Sequence, residues 1–335
     1  MPLKPGDDWS GKQVVVTGAG GFIGSHLTER LVSLGASTTA FLRYNSRSDA
    51  GLLDECPAEI RSEIHMVWGD LCDPDSVRKA VQKADVVFHL GALIGIPYSY
   101  ESPRQYVDAN ILGTLNVLEG VRSGGVGRMV QTSTSEVYGT PIYTPIDEKH
   151  PLQGQSPYSA SKIGADKLAE SFWRTYKLPV ATLRPFNTFG PRQSARAILP
   201  TIIRQALKGS EIRLGSLTPI RDMNYVGDTV DGFIRIALSD AALGSVVNIG
   251  SGRGLTVGEM VDGVSKALGK KITVLQDPDR VRPPSSEVEA LIADATLAHE
   301  LFGWSSVTPF EEGLQRTIDW HSEKRLDLDP AQYLV

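Results

Sequence analysis

The chain has 335 residues, enough for about two domains of ordinary size, and its 41% hydrophobic and 22% charged residues are the balance of a soluble globule. Its formal net charge of −5 argues against a nucleic-acid binder, which carries a basic surplus, and leaves room for a few arginines around an anionic small molecule. Two cysteines, Cys56 and Cys72, and six scattered histidines offer neither a disulfide framework nor metal-ligand spacing, so no metal is expected.

The first stretch, MPLKPGDDWSGKQ, lacks the apolar run of a signal peptide, and no segment approaches a membrane span; the expected compartment is the cytoplasm. Six short apolar runs follow in order: Gln13–Thr17, Ser37–Leu42, Glu63–Trp68, Asp85–Leu90, Arg128–Thr132 and Val180–Leu183. They read as the buried strands of a parallel sheet, with helical patterns between them. The first helix is predicted over Ile23–Ser33, with Ile23, Leu27 and Leu31 on one face and Gly35 as its stop. Repeated strand–helix units place the fold in the α/β class, a right-handed doubly wound parallel sheet.

Past Gly190 the pattern changes. Helices near Arg196–Lys208, Asp228–Leu238, Val257–Leu268 and Pro309–Ser322 alternate with short strands, and the proline-rich Arg280–Ser286 segment reads as a surface loop. This organisation predicts a sheet domain over residues 1–190 and a smaller α/β lobe over 191–335, the chain re-entering the sheet once. The lobe is expected to close over the carboxyl ends of the strands, where ligands bind in such folds.

Gly18-Ala19-Gly20-Gly21-Phe22-Ile23-Gly24 lies directly between the first strand and the first helix. In that context it is the Rossmann dinucleotide turn: Gly18 permits the tight bend, Gly21 lets amides approach a pyrophosphate, and Gly24 lets helix and strand pack closely. Phe22 and Ile23 open the helix whose N-terminus would face the phosphates. A free ribose 2′-hydroxyl calls for a carboxylate at the end of the second strand, yet the chain there reads Ala40-Phe41-Leu42-Arg43-Tyr44-Asn45-Ser46-Arg47. Arg43 suits a 2′-phosphate or the adenine face, which favours NADP over NAD. Asp70 and Leu71 after the third strand would border the adenine, and Gly91 and Ala92 after the fourth would run along the cofactor.

Ser156 is a good N-cap and Pro157 a good first helical residue, so Tyr158 and Lys162 should share one face of a helix after the fifth strand. A phenol of ordinary pKa about 10 needs about 4 kcal/mol to ionise near neutrality. A cation about 4 Å away supplies on the order of 4 kcal/mol at an effective dielectric of about 20, so Lys162, helped by the nicotinamide's charge, suffices in principle. Tyr158 would then take a proton from a substrate hydroxyl as hydride leaves the same carbon. Thr134, at the end of the fifth strand, would hydrogen-bond that hydroxyl. Glu136 supplies a carboxylate, beyond the Tyr158 phenol, that simple oxidation does not need and β-elimination of water does.

These residues resemble the extended short-chain dehydrogenase/reductases, in their NAD-dependent epimerase/dehydratase branch. The likeness runs from Val14 to Trp320 through the glycine turn, Asn110-Ile111-Leu112-Gly113-Thr114-Leu115-Asn116, Ser133-Thr134-Ser135-Glu136-Val137-Tyr138-Gly139, Tyr158-Ser159-Ala160-Ser161-Lys162 and Leu183-Arg184-Pro185-Phe186-Asn187. Arg221-Asp222-Met223-Asn224-Tyr225-Val226 and Asn248-Ile249-Gly250-Ser251-Gly252 extend it. The resemblance implies a nucleoside-diphosphate sugar as substrate, with Asn187, Arg192, Arg221 and Arg282 holding its nucleotide and diphosphate. It also implies a homodimer built on the helices after the fourth and fifth strands. Thr134-Ser135-Glu136 departs from the Thr-Asp-Glu of dTDP-glucose 4,6-dehydratases and is similar to the Thr-Ser-Glu of GDP-mannose 4,6-dehydratases and of some UDP-glucuronate decarboxylases. The stretches Gly91–Pro103 and Ile146–Lys162 are similar to nucleotide-linked N-acetylglucosamine 4,6-dehydratases.

The expected activity is therefore 4,6-dehydration of a UDP- or GDP-N-acetylglucosamine-like sugar, with NAD(P) recycled within each turnover and tightly held. Tyr158, Lys162, Thr134, Ser135 and Glu136 are its expected catalytic residues. A 4-epimerase or a decarboxylase of a uronic-acid sugar would use the same Tyr158. A dinucleotide-sensing protein would keep the fold with no need of Tyr158, Lys162 and Glu136.

Overall fold

The structure, a computed structural model, describes residues 9–280 and 288–324. The first six strands are β1 (Gln13–Thr17), β2 (Ser37–Arg43), β3 (His65–Gly69), β4 (Val86–His89), β5 (Arg128–Thr132) and β6 (Val180–Pro185). Four short strands follow: β7 (Asn187–Phe189), β8 (Glu211–Leu214), β9 (Ile220–Tyr225) and β10 (Val246–Ile249). The chain returns through β10 to complete a seven-stranded parallel sheet of order β10-β6-β5-β4-β1-β2-β3. Every residue of β4 and β6 is buried, as strands covered on both faces must be.

Alternate side chains serve two cores. Val14 and Val16 join Leu27 and Leu31 of the helix Phe22–Ser33 on one face, together with most of the C-terminal core. Val15 and Val87 join Val117 and Val121 of the helix Gly113–Gly124, and Ala169 of the helix Pro157–Tyr176, on the other. That split follows from the two-residue period of a strand. Each such aliphatic side chain contributes about 1.5–3 kcal/mol when fully buried.

The lobe is a small sheet of order β11 (Gly254–Thr256), β9, β13 (Ala290–Leu291), with β7 also paired to β9. A separate strand pair joins β12 (Thr273–Gln276) to β8. Two buried aspartates fasten it. Asp222 accepts hydrogen bonds from the Ser251, Gly252 and Ala293 amides, and Asp228 from the Val307 and Thr308 amides. The helices run Ile198–Lys208, Val226–Leu238, Val257–Ala267 and Phe310–Glu323, each within two residues of its sequence-predicted start. Of the predicted Arg280–Ser286 loop only Arg280 is described, closing the short turn Pro278–Arg280; the rest, Arg282 included, lies outside the described residues.

Candidate functional site

In the sheet order, β1 and β4 are neighbours whose following helices lie on opposite faces, and this reversal opens a crevice at their carboxyl ends. Gly18 after β1 and Gly91 after β4 meet there. Gly18 has φ +70°, and a Cβ on it would lie 2.7 Å from the Gly91 nitrogen. On Gly24 a Cβ would lie 2.2 Å from the Gly18 carbonyl oxygen. The helix Phe22–Ser33 starts at Gly21 with no side-chain cap and no acidic residue in its first turn. Its leading amides and dipole are therefore available to an anion.

A cleft of about 520 Å³ opens beside this turn, within the range of small-molecule sites. Gly18, Gly21, Arg43, Asp70, Leu71, Gly91 and Ala92 all line it, as the sequence predicts, while Phe22, Ile23 and Gly24 form the helix turn behind. The cradle fits a dinucleotide's phosphates: glycine backbone at the closest approach, a helix N-terminus behind it, and polar groups at the rim. Asp49, Cys72 and Asp108 also line the cleft and escaped sequence reasoning. A carboxylate thus does reach the groove after β2, six residues past Arg43. The loop turns back because the Asn45 side chain accepts the Arg47 and Asp49 amides at 3.1 and 3.0 Å.

The Asn110–Asn116 motif ties this groove to the catalytic helix. Asn110 sits in a π-helical turn, Val107–Leu112, of the sort that gathers at functional sites. Its side chain accepts the Leu93 amide at 2.8 Å and donates to the Leu93 carbonyl and to Ser161 Oγ, both at 2.9 Å. Gly113 admits Leu71, and Asn116 holds the Leu71 carbonyl at 2.8 Å. His89 lies beneath, 2% exposed, between Thr17 and Thr114, and burial pushes its imidazole down to about 3.

The helix Pro157–Tyr176 begins as predicted, Ser156 and Ser159 capping each other's amides. Tyr158 and Lys162 come out on its inner face, 8% and 4% exposed. Lys162 Nζ donates to the Thr132 carbonyl at 2.6 Å, and burial brings its ammonium down to about 8, with Asp166 opposing. The Tyr158 phenol is shifted by its surroundings too. Burial raises it above its ordinary value, Thr134 hydrogen-bonds it and favours ionisation, and the Glu136 charge opposes ionisation. Lys162 spends one donor on the Thr132 carbonyl. An ammonium has three N–H groups, so two remain to a ligand.

Thr134, Ser135 and Glu136 form the start of a one-turn 3₁₀ helix, Ser135–Tyr138, capped by Thr134 accepting the Glu136 amide. The turn sits at the carboxyl end of β5, against Tyr158. Asn187 and Arg221 share a face of the lobe sheet through the register Asn187↔Met223, and Asn187 Oδ1 is buried with no partner among the described residues. Arg192 is held elsewhere: at φ +67° it reaches the first helix and pairs with Glu29 at 2.7 Å. Among the described residues no cluster of His, Cys, Asp and Glu could hold a metal ion, and no helix is long and apolar enough to cross a membrane.

Comparison with known proteins identifies the family and the fold. A profile described as GDP-mannose 4,6 dehydratase matches residues 15–317. A dTDP-glucose 4,6-dehydratase of Streptomyces antibioticus is 33% identical over 324 residues, covering 95% of this chain and 95% of its own. The epimerase Mth375 of Methanothermobacter thermautotrophicus superimposes with TM-score 0.86 at 28% identity, over 95% of this chain and 94% of that one. The dTDP-glucose 4,6-dehydratase DesIV of Streptomyces venezuelae, solved with NAD and TYD bound, gives 0.81 at 27% identity, over 93% and 98%. The chain belongs to the GDP-mannose 4,6 dehydratase family, among the nucleotide-sugar dehydratases and epimerases of the extended short-chain dehydrogenase/reductases.

Proposed function

We propose that the protein is a nucleotide-sugar 4,6-dehydratase, acting on a UDP- or GDP-N-acetylglucosamine-like substrate and giving a 4-keto-6-deoxy sugar. The observation that carries this reading is a carboxylate, Glu136, in the one-turn helix after β5 that packs against the helix carrying Tyr158. A 4-epimerase needs one proton acceptor, at the C4 hydroxyl. Dehydration needs a second, at C5.

The bound nicotinamide supplies hydride acceptance from C4, hydride return to C6, and a positive charge that favours the phenolate. Tyr158, hydrogen-bonded by Thr134, accepts the C4 hydroxyl proton. The resulting ketone acidifies C5, and Glu136 removes the C5 proton. The electron pair moves into the C5–C6 bond as the C6 hydroxyl departs, taking its proton from Ser135 or Glu136, and C5 afterwards takes back a proton from Glu136 or, where that one has left with the water, from solvent. Asn187 and Arg221 would hold the diphosphate from the lobe. The exposed Arg43 at the rim favours NADP, against which Asp49 is the competing carboxylate. The helices Gly113–Gly124 and Pro157–Tyr176 are the proposed dimer face.

One preparation tests this. The dinucleotide released on denaturation is identified, and the intact protein is incubated with UDP-, GDP- and dTDP-sugars and the products weighed. The reading expects NADP and a product lighter by one water. A product of unchanged mass, or one that has lost carbon dioxide, replaces the dehydratase with the epimerase or decarboxylase. Release of NAD alone overturns the NADP preference.

A further inference from the structure

Behind the Thr134–Glu136 turn lies a buried charged cluster to which the proposed steps assign nothing. Arg184 on β6 and Asp166 on the catalytic helix pair at 2.7 Å, with side chains 2% and 3% exposed. The guanidinium also donates through Nε to Ser133 Oγ at 3.2 Å and through Nη1 to the Tyr138 phenol oxygen at 2.7 Å. Ser133 donates in turn to the same Asp166 oxygen at 2.5 Å. Tyr138 donates to Asn248 Oδ1 on β10 at 2.8 Å, and its ring lies under the guanidinium, 4.7 Å from centroid to Cζ.

The spacing of these contacts is informative. Ser133 is the residue just before the Thr134–Glu136 turn, and Tyr138 closes that turn two residues past Glu136. Asp166 stands one helical turn beyond Lys162. Stability does not call for such a cluster, because well-packed apolar residues commonly replace a buried ion pair without loss. A planar guanidinium does something apolar residues cannot: its donors have a fixed geometry, so its partners are held at fixed separations.

We propose that Arg184 is a positioning residue. By gripping both ends of the catalytic turn and the helix of Tyr158, it fixes the separation between the Glu136 carboxylate and the Tyr158/Lys162 pair. The proposal rests on the dehydratase reading, which gives Glu136 a proton to take. In that reaction Tyr158 and Glu136 act on adjacent carbons of one sugar within one turnover. Their separation matters as much as either position, and a displacement of about 1 Å can cost on the order of 10²-fold.

Replacing Arg184 itself would strand the Asp166 charge and threaten folding. Tyr138→Phe and Ser133→Ala each release one grip and leave the ion pair intact. With wild-type substrate and cofactor, both variants should lose about 10- to 100-fold in product formation. Nucleotide-sugar and dinucleotide affinities should hold, and oxidation at C4 should stay near its wild-type rate. Reduced nicotinamide would then accumulate in the variants, visible by absorbance. Full turnover per folded molecule in both variants, or equal losses in oxidation and product formation, would show the cluster to be a stability device and overturn the proposal. The dehydratase reading is judged apart from this, on the product of the wild-type protein. The clamp is judged on the variants' ratio of oxidation rate to product rate, whatever that product is.

Discussion

The two ends of the groove use different atoms for different tasks. At the dinucleotide end the closest surfaces are backbone, at Gly18, Gly21 and Gly91, and the charged groups Arg43, Asp49 and Asp70 stand exposed at the rim. At the other end the proposed catalytic groups are side chains, and three of them are buried, Ser135 3%, Lys162 4% and Tyr158 8% exposed, while Thr134 and Glu136 are half-buried. Amides hold phosphate without changing charge, so an open, wet groove suits them. Proton transfer depends on groups whose charge is decided by their surroundings, and removal from water is what makes those surroundings decisive. On the proposed reading, recognition rests on main-chain shape and chemistry on side chains drawn out of water.

Substitutions at either end should fail in different ways. Tyr158→Phe keeps the ring and removes only the oxygen, so turnover should fall by at least about 10²–10⁴-fold while cofactor and nucleotide-sugar binding persist in equilibrium titrations. Retained turnover would move the acid–base role elsewhere. Gly24→Val acts at the open end. Its branched side chain starts 2.2 Å from the Gly18 oxygen, so helix and turn must part, and dinucleotide affinity should drop by about tenfold or more. Calorimetric titration at undiminished affinity would show that the close approach is dispensable.

A smaller effect tests burial itself. His89 and His321 are 2% and 4% exposed, and burial lowers them to about 3 and about 4. Both stay neutral when folded and take up protons when unfolded. Their stabilisation is complete above an ordinary histidine pKa of about 6.5 and is lost as pH falls toward 4 and 3, costing on the order of 2 kcal/mol each by pH 5. Urea unfolding at pH 7.5 and pH 5 measures it, and His321→Leu should remove that residue's share. An unchanged pH slope in the variant would mean that His321 is protonated in the folded protein.

Much of this was legible in the sequence, for definite reasons. Strands buried on both faces read as unbroken apolar runs, which is why β1, β2 and β5 start where predicted. The glycine turn and the Ser156-Pro157 helix start are local, so local rules predicted both the bend at Gly18 and the helix that carries Tyr158 and Lys162. Long-range contacts were not legible. Nothing in the composition shows Arg192 crossing to Glu29, or Arg184 joining β5, β6 and the catalytic helix. Asp49 was hidden because a side-chain-built turn at Asn45 folds the loop back into the groove. The burial of Tyr158 and Lys162, which raises the phenol and lowers the ammonium, was not legible either, because spacing gives the Coulomb attraction of a lysine and not the desolvation of both partners.

The central claim is that Glu136 accepts the C5 proton, and Glu136→Gln tests it most directly. The amide keeps the shape and can still donate a hydrogen bond, but it cannot take a proton. Mixed with substrate, the variant should oxidise C4 and stop there, so reduced nicotinamide builds up while solvent deuterium fails to enter C5. A 4-keto-6-deoxy product formed at the wild-type rate would contradict the account and leave Glu136 a rim residue.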